Sequence, residues 1–211
     1  ESMMREQKQI NEYVSSFEKL NQPKSIPLEF GEERLLLLPN LDISKKVTIQ
    51  ILLAPLLERG KANAKLQNKN WIQSSEWPDW TLQKISPSYA VIAEIVANLL
   101  ENAFKYSKMH ADIGIKFNTS GLLIFDNGKK ITNDEKEKIF QKGFRGAASR
   151  NKDGSGVGLY LAKKLAISIG GDLVLLDENI GDNFDINSLD IKKTNIFYLK
   201  IPTEQLHKKI T

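Results

Sequence analysis

Apolar positions along the chain fall into stretches of helical and of strand period, separated by polar breaks bearing Gly and Pro. Over 4–22, Ile10, Tyr13, Val14, Phe17 and Leu20 recur at spacings of three and four, which predicts an amphipathic helix ended by Asn21-Gln22-Pro23. A helix of that length is marginal alone in water, so it packs on its own domain or on a partner chain. Pro23, Pro27, Gly31 and Pro39 punctuate 23–46, which reads as a linker with one short strand at 35–38. The pattern over 44–66 predicts a helix capped by Ser44, with Val47, Ile51, Leu52, Leu56 and Leu66 inward and Pro55 as a kink or a boundary. A strand at 71–73, a turn at 76–80 and a second short strand near 82–85 follow, with Trp71, Trp77 and Trp80 as core or boundary residues.

The strongest helical signal covers 87–107, where Ile92, Ile95, Val96, Leu99, Leu100 and Ala103 form a broad apolar face. Residues 111–117 and 121–125 flank Asn118-Thr119-Ser120-Gly121 and read as a β-hairpin. A short helix is expected over 132–140, then a polar loop over 141–156 carrying Gly143, Gly146, Gly154 and Gly156, then a helix over 158–169 ended by Gly170-Gly171. Strands at 173–176 and 196–201 bracket a polar excursion at 177–194. Helices mixed with hairpin strands, without repeated strand–helix units, predict an α+β fold. The expected form is a two-layer α/β sandwich with helices on one face of a mixed sheet.

Composition narrows the chemistry. With 211 residues, 41% of them hydrophobic, the chain has material for a core, so wholesale disorder is excluded. No cysteine is present and only His110 and His207 are, which excludes disulfides, thiolate metal sites and a histidine-rich metal centre. No apolar run approaches the length needed to cross a bilayer. The net charge of +4 is scattered among acidic residues and reads as a Lys-rich solvated surface, not a nucleic-acid face.

Four segments carry candidate chemistry. Asn98, Asn102 and Lys105 lie at i, i+4 and i+7 of the strongest helix and share one face. Amide oxygens suit magnesium and an ammonium meets phosphate, although such residues are also ordinary on a wet helix face. Asp126-Asn127-Gly128 follows a strand, so its carboxylate can accept the exocyclic amine of adenine, or the triplet can simply be a turn. Phe140 and Phe144 read as an apolar hinge, with Arg145 either reaching a terminal phosphate or merely exposed. Gly154-Ser155-Gly156-Val157-Gly158-Leu159 opens a helix and can cradle an anion with backbone N–H groups. No Lys-Ser/Thr pair follows it and no strand leads into it, so it is neither a Walker A loop nor a dinucleotide fingerprint.

Their order and spacing resemble the N, G1, F and G2 boxes of the sensor histidine kinase catalytic domain, within the superfamily of gyrase, Hsp90, histidine kinase and MutL ATP-binding domains. The resemblance covers roughly 41–203, and Phe197 to Pro202 is similar to that family's last strand. The helix–proline region before Trp71 and the short polar lid resemble sensor kinases of cyanobacteria and plastids.

The resemblance implies a Bergerat-type fold, ATP and Mg2+ as cofactors, and phosphoryl transfer to a histidine on a separate helical hairpin. It implies magnesium at Asn102, phosphate at Lys105, the nucleotide beside Tyr106, adenine at Asp126 with Gly128 allowing its approach, and γ-phosphate near Arg145. Phe140 belongs to the F box. Gly154, Gly156 and Gly158 hinge the lid, with Leu159 behind them. Asn98 stands where hydrolysing members carry a glutamate, and an amide cannot take a proton, so transfer is expected over hydrolysis.

The implied partners are the acceptor hairpin of a dimeric full-length protein and a response regulator, in the cytoplasm or the plastid stroma. Residues 1–22 would end the hairpin, 23–40 link it, 41–203 form the catalytic domain and 204–211 a tail. Two positions depart from the family pattern: Lys130 replaces the second glycine of the G1 box, and Thr194-Asn195 stands where a glycine precedes the last strand. Lys130 leaves open a nucleotide-impaired docking module of the same fold; a serine-directed kinase of the superfamily is a further alternative.

Overall fold

The computed structural model describes residues 47–146, 156–176 and 194–204. The elements expected over 4–22 and 35–38, the cap at Ser44, Gly154 with most of the lid, the excursion at 177–193 and His207 lie outside the described residues.

Helix α1 (Ile49–Leu66) begins at Thr48, whose hydroxyl accepts the Ile51 N–H at 3.1 Å, an N-cap of the usual kind. It buries Ile49, Leu52, Leu53, Leu57, Gly60 and Ala64. Two expected inward positions are thereby corrected: Ile51 is 44% exposed and Leu66 80%. The helical stripe runs from Ile49 at spacings of three and four, which turns both residues outward. Pro55 is neither a boundary nor an end; it sits exposed inside α1, and the helix continues through it to Leu66.

Strand β1 (Asn70–Gln73) follows. A helical turn, α2 (Asp79–Leu82), begins within the expected turn at 76–80, and the short strand expected near 82–85 does not form: Leu82 closes α2 and Lys84 makes only an isolated bridge, to Thr48. Pro78 starts that turn, and its carbonyl accepts both the N–H and the hydroxyl of Thr81. A 3-10 turn (Pro87–Ala90) leads into α3 (Val91–Tyr106). On α3, Ile92, Ile95, Val96 and Leu99 are essentially inaccessible. Burial at roughly 1.5–3 kcal/mol for each such side chain anchors this helix.

Strands β2 (Asp112–Asn118) and β3 (Gly121–Asp126) form the expected hairpin. The single helix expected over 132–140 resolves into two 3-10 turns, Asn133–Glu135 and Lys138–Phe140, the first closed by a Thr132/Glu135 capping box. Helix α4 (Gly158–Ser168), β4 (Asp172–Leu175) and β5 (Asn195–Lys200) complete the described chain.

The sheet runs β1-β2-β3-β5-β4, with β1 parallel to β2 and the remaining pairs antiparallel. Central β3 alternates: Leu122 and Ile124 join the cluster built with α1, α3 and α4, while Leu123 and Phe125 join Ile196 in a smaller cluster. All three long helices pack in the first cluster, so the expected mixed sheet with helices on one face is what forms.

Candidate functional site

Helix α3 sets the frame, because its buried stripe leaves the remaining face to polar groups. Asn98 is 7% exposed, and its Nδ2 donates to the Glu94 carbonyl at 2.9 Å and lies 3.4 Å from Glu94 Oε1. With the nitrogen so held, Oδ1 faces the start of α4. A Cβ placed on Gly158 would lie 3.2 Å from Asn98 Oδ1 and 3.8 Å from Asn102 Nδ2. Gly158 therefore leaves open a space lined by both asparagines. Asn102 presents its nitrogen there, so ligation of a cation through its oxygen takes a half-turn about χ2. Among the described residues no group of three His, Asp or Glu side chains is arranged to hold a metal ion. A divalent cation here would depend on the amides and on phosphate oxygens, a donor set magnesium accepts.

At the other end of α3, Asp126 closes β3 and is 5% exposed. Its Oδ1 accepts the Gly128 N–H at 2.9 Å and the Asn195 Nδ2 at 3.3 Å. Asp126 Oδ2 has no hydrogen-bond partner among the described residues. A buried carboxylate oxygen left without a donor is costly, and an exocyclic amine supplies what is missing. Burial pushes the Asp126 carboxyl up to about 6, against the Gly128 N–H, the Asn195 amide and the cations Lys130 and Lys69. Gly128 is held close: a Cβ there would lie 2.7 Å from Asp126 Oδ1 and 2.9 Å from the Tyr106 carbonyl. The last turn of α3 thus touches the loop after β3. Asn98 and Tyr106 stand eight residues apart on α3, roughly 12 Å along its axis, so one helix carries both ends of the site.

The C-terminal carbonyls of α3 are satisfied locally. Lys69 Nζ donates to the Phe104 carbonyl at 2.5 Å and Ser107 Oγ to the Ala103 carbonyl at 2.6 Å. A cation at a helix C-terminus also meets the favourable end of the helix dipole.

The base of the lid is a pair of glycines. Gly143 N–H donates to the Gly156 carbonyl at 3.1 Å, and Gly156 has φ +70. A Cβ on Gly156 would meet the Phe144 carbonyl at 2.7 Å, so both its dihedral and its surroundings require glycine. Phe140 stacks edge-on against Phe197 at 6.4 Å, beneath Lys163 Nζ at 5.3 Å, contacts suited to a hinge. Lys163 also ties α4 to β4 through Asp172 and the Leu173 carbonyl. Leu159 packs partly buried against the core.

The expected residues thus form two groups joined by α3: Asn98, Asn102 and Gly158 at one end, and Asp126, Gly128 and the Tyr106 backbone at the other. Lys105 is half-buried with its Nζ 5.7 Å from the Tyr106 ring centroid, and Arg145 is exposed beside the lid base. The sequence marks position 195 only as one where a family glycine is absent; the structure makes Asn195 a buried part of the site. Its Nδ2 also reaches the Lys129 carbonyl at 3.1 Å and its Oδ1 accepts the Ile131 N–H at 2.9 Å. The sequence offers only a weak signal, an asparagine standing directly before an otherwise apolar strand, since asparagine fits strands poorly. Lys69 left no comparable signal.

Comparison with known proteins identifies the family. The family described as histidine kinase-, DNA gyrase B-, and HSP90-like ATPase matches residues 89–205. Sensor histidine kinase Hik2 of Thermosynechococcus vestitus is 33% identical over 135 residues, covering 62% of this chain and 34% of that protein. The chain spans about a third or less of the length of the curated relatives it matches first. Among solved structures, the mycobacterial sensor histidine kinase MprB superposes with a TM-score of 0.54 at 20% identity, covering 74% of this chain and 95% of that one. Full-length ShkA in complex with AMPPNP superposes with a TM-score of 0.51 at 20% identity, covering 75% of this chain and 30% of that one. The chain therefore belongs to the family of histidine kinase-, DNA gyrase B- and HSP90-like ATPases.

Proposed function

We propose that this chain is the catalytic portion of a longer two-component sensor kinase. It would bind ATP along α3 and present the γ-phosphate to a histidine on a separate helical hairpin, for relay to a response regulator in the cytoplasm or the plastid stroma. In this reading 41–203 form the catalytic domain, 1–22 end the hairpin, 23–40 are a linker and 204–211 a tail. The observation that carries the nucleotide reading is Asp126: a buried carboxylate with an unpartnered oxygen, beside a glycine that keeps the approach to it open. ShkA, a structural neighbour, is described in complex with an ATP analogue, which supports the same reading.

Each residue has a physical task in it. Asp126 accepts the adenine amine, and Gly128 lets the ring plane approach. Lys105 and Arg145 meet phosphate charge, and Gly156 and Gly158 bring backbone close to the phosphates without side-chain obstruction. Asn102, with Asn98 beside it, would hold Mg2+, which supplies charge neutralisation at the phosphates when bound. In transfer, an imidazole nitrogen of the acceptor bonds to the γ-phosphorus. The bond to the β–γ bridging oxygen breaks, ADP leaves with that electron pair, and the imidazole proton passes to solvent. The site has only to position and neutralise. Asn98 fits that task, since its amide cannot deprotonate a water as a glutamate would.

The test supplies an acceptor hairpin in trans with ATP labelled at the γ-phosphate. Acid-labile, base-stable label on the hairpin histidine is expected. Acid-stable label would point to a serine acceptor, and nucleotide binding with no transfer to any acceptor would point to a docking module.

A further inference from the structure

Lys130 occupies the position where the G1 box resemblance expects a second glycine, and a bulky cation there suggests an obstructed base site. The geometry shows the side chain directed elsewhere. Lys130 Nζ donates to the Thr194 carbonyl at 2.6 Å, just before β5 begins. Next to it, Asn195 bridges three groups of the same loop and strand end: Asp126 Oδ1, the Lys129 carbonyl and the Ile131 N–H. Asp126 and Asn195 are direct cross-strand partners in the β3–β5 ladder, and Thr194, Asn195 and Asp126 are all buried. The loop leaving β3 is therefore fastened to β5 on both sides of residue 130.

We infer that Lys130 is a positioning residue for nucleotide binding: its tether to β5 holds the loop after β3, and its charge supports the Asp126 carboxylate as the acceptor of an amine. The inference rests on the proposed nucleotide site. The groups that face Asp126 are the Gly128 N–H and Lys130 from its own loop, the Asn195 amide from β5, and Lys69 from the turn between α1 and β1. Lys130 and Lys69 are the cations among them. An ionised Asp126 can only accept hydrogen bonds, whereas a protonated one loses an acceptor site that an adenine amine needs. Removing the Lys130 charge lets burial raise the Asp126 carboxyl further, so the damage should grow as pH falls toward 6.

The experiment measures ADP affinity by calorimetry without metal, for wild type, K130R, K130M and K130G, at pH 6 and pH 8. K130R, which keeps charge and reach, should stay within about twofold of wild type. K130M and K130G should weaken ADP by roughly threefold at pH 8 and roughly tenfold or more at pH 6. K130M keeps the aliphatic stem, so the comparison stands even where K130G loses fold stability. ADP binding in K130G equal to or tighter than wild type at both pH values would overturn the inference, as would an equal loss at both, which a purely structural role produces. Wild type that binds no ADP would remove the nucleotide site itself and this inference with it. Tight wild-type binding with indifferent variants overturns the role of Lys130 alone.

Discussion

Asp126 sets ligand recognition against fold stability on one side chain. Its folded-state value of about 6 lies above the roughly 4 of an unfolded aspartate. For a carboxyl raised in this way, the favourable contribution is fully present below about pH 4 and is lost as pH rises through 6. At neutral pH the ligand-free protein therefore carries a buried charge at a cost. Asp126→Asn keeps the shape and lets the residue's oxygen still accept from Gly128 and Asn195. It is expected to stabilise the ligand-free protein by about 1–3 kcal/mol at pH 8, with no gain near pH 4, in chemical denaturation at the two pH values. The same change should weaken ADP by about 1–3 kcal/mol in calorimetry, since an amide NH2, a donor, then stands where Asp126 Oδ2 would accept the adenine amine. A variant less stable at pH 8 with unaltered ADP affinity would contradict both the burial argument and the assigned role. Lys105→Ala is expected to weaken ADP by a similar amount, because a cation on the polar face of α3 is removed.

At the scale of elements, α3 and the opening of α4 set the phosphate end. Gly158→Ala puts a methyl 3.2 Å from Asn98 Oδ1 while improving helix propensity in α4. The expected outcome is an unfolding midpoint equal to or above wild type, with magnesium-dependent nucleotide affinity reduced more than metal-free affinity. Loss of both in equal measure would detach Gly158 from the cation. Gly156→Ala should destabilise by about 1–3 kcal/mol, since φ +70 and the Phe144 carbonyl both reject a Cβ.

These elements also show what could be read beforehand. α3, the β2–β3 hairpin and α4 were legible because their apolar periods are long and their ends bear turn residues. The asparagine face of α3 and the glycines followed from the helix period and spacing. The strand expected near 82–85 does not form, because four residues carry no decisive period: Leu82 closes α2, which the Pro78 carbonyl starts, and Lys84 keeps only an isolated bridge to Thr48. The inward face of α1 differs from the expected one because the core takes the stripe of Ile49, Leu52, Leu53 and Leu57, and at 3.6 residues per turn Ile51 and Leu66 then point outward. Asn195 was missed for a tertiary reason: its partnership with Asp126 depends on β3–β5 register across a separation of 69 residues, which local pattern does not encode.

In the whole molecule, one sheet face packs the three long helices, and α3 threads from the Asp126 end of the site to the Gly158 end. This makes the account indivisible: base recognition and phosphate binding belong to one ligand or to none. The most direct measurement is calorimetric titration of this chain with ATP, with and without magnesium, alongside Asp126→Asn and Gly158→Ala. The account predicts saturable one-to-one binding below about 1 mM, the range usual for enzyme substrates. Each variant, altered at the opposite end of α3, should weaken the same binding event. An unbound wild type at millimolar ATP, or tight binding that neither variant disturbs, would contradict it.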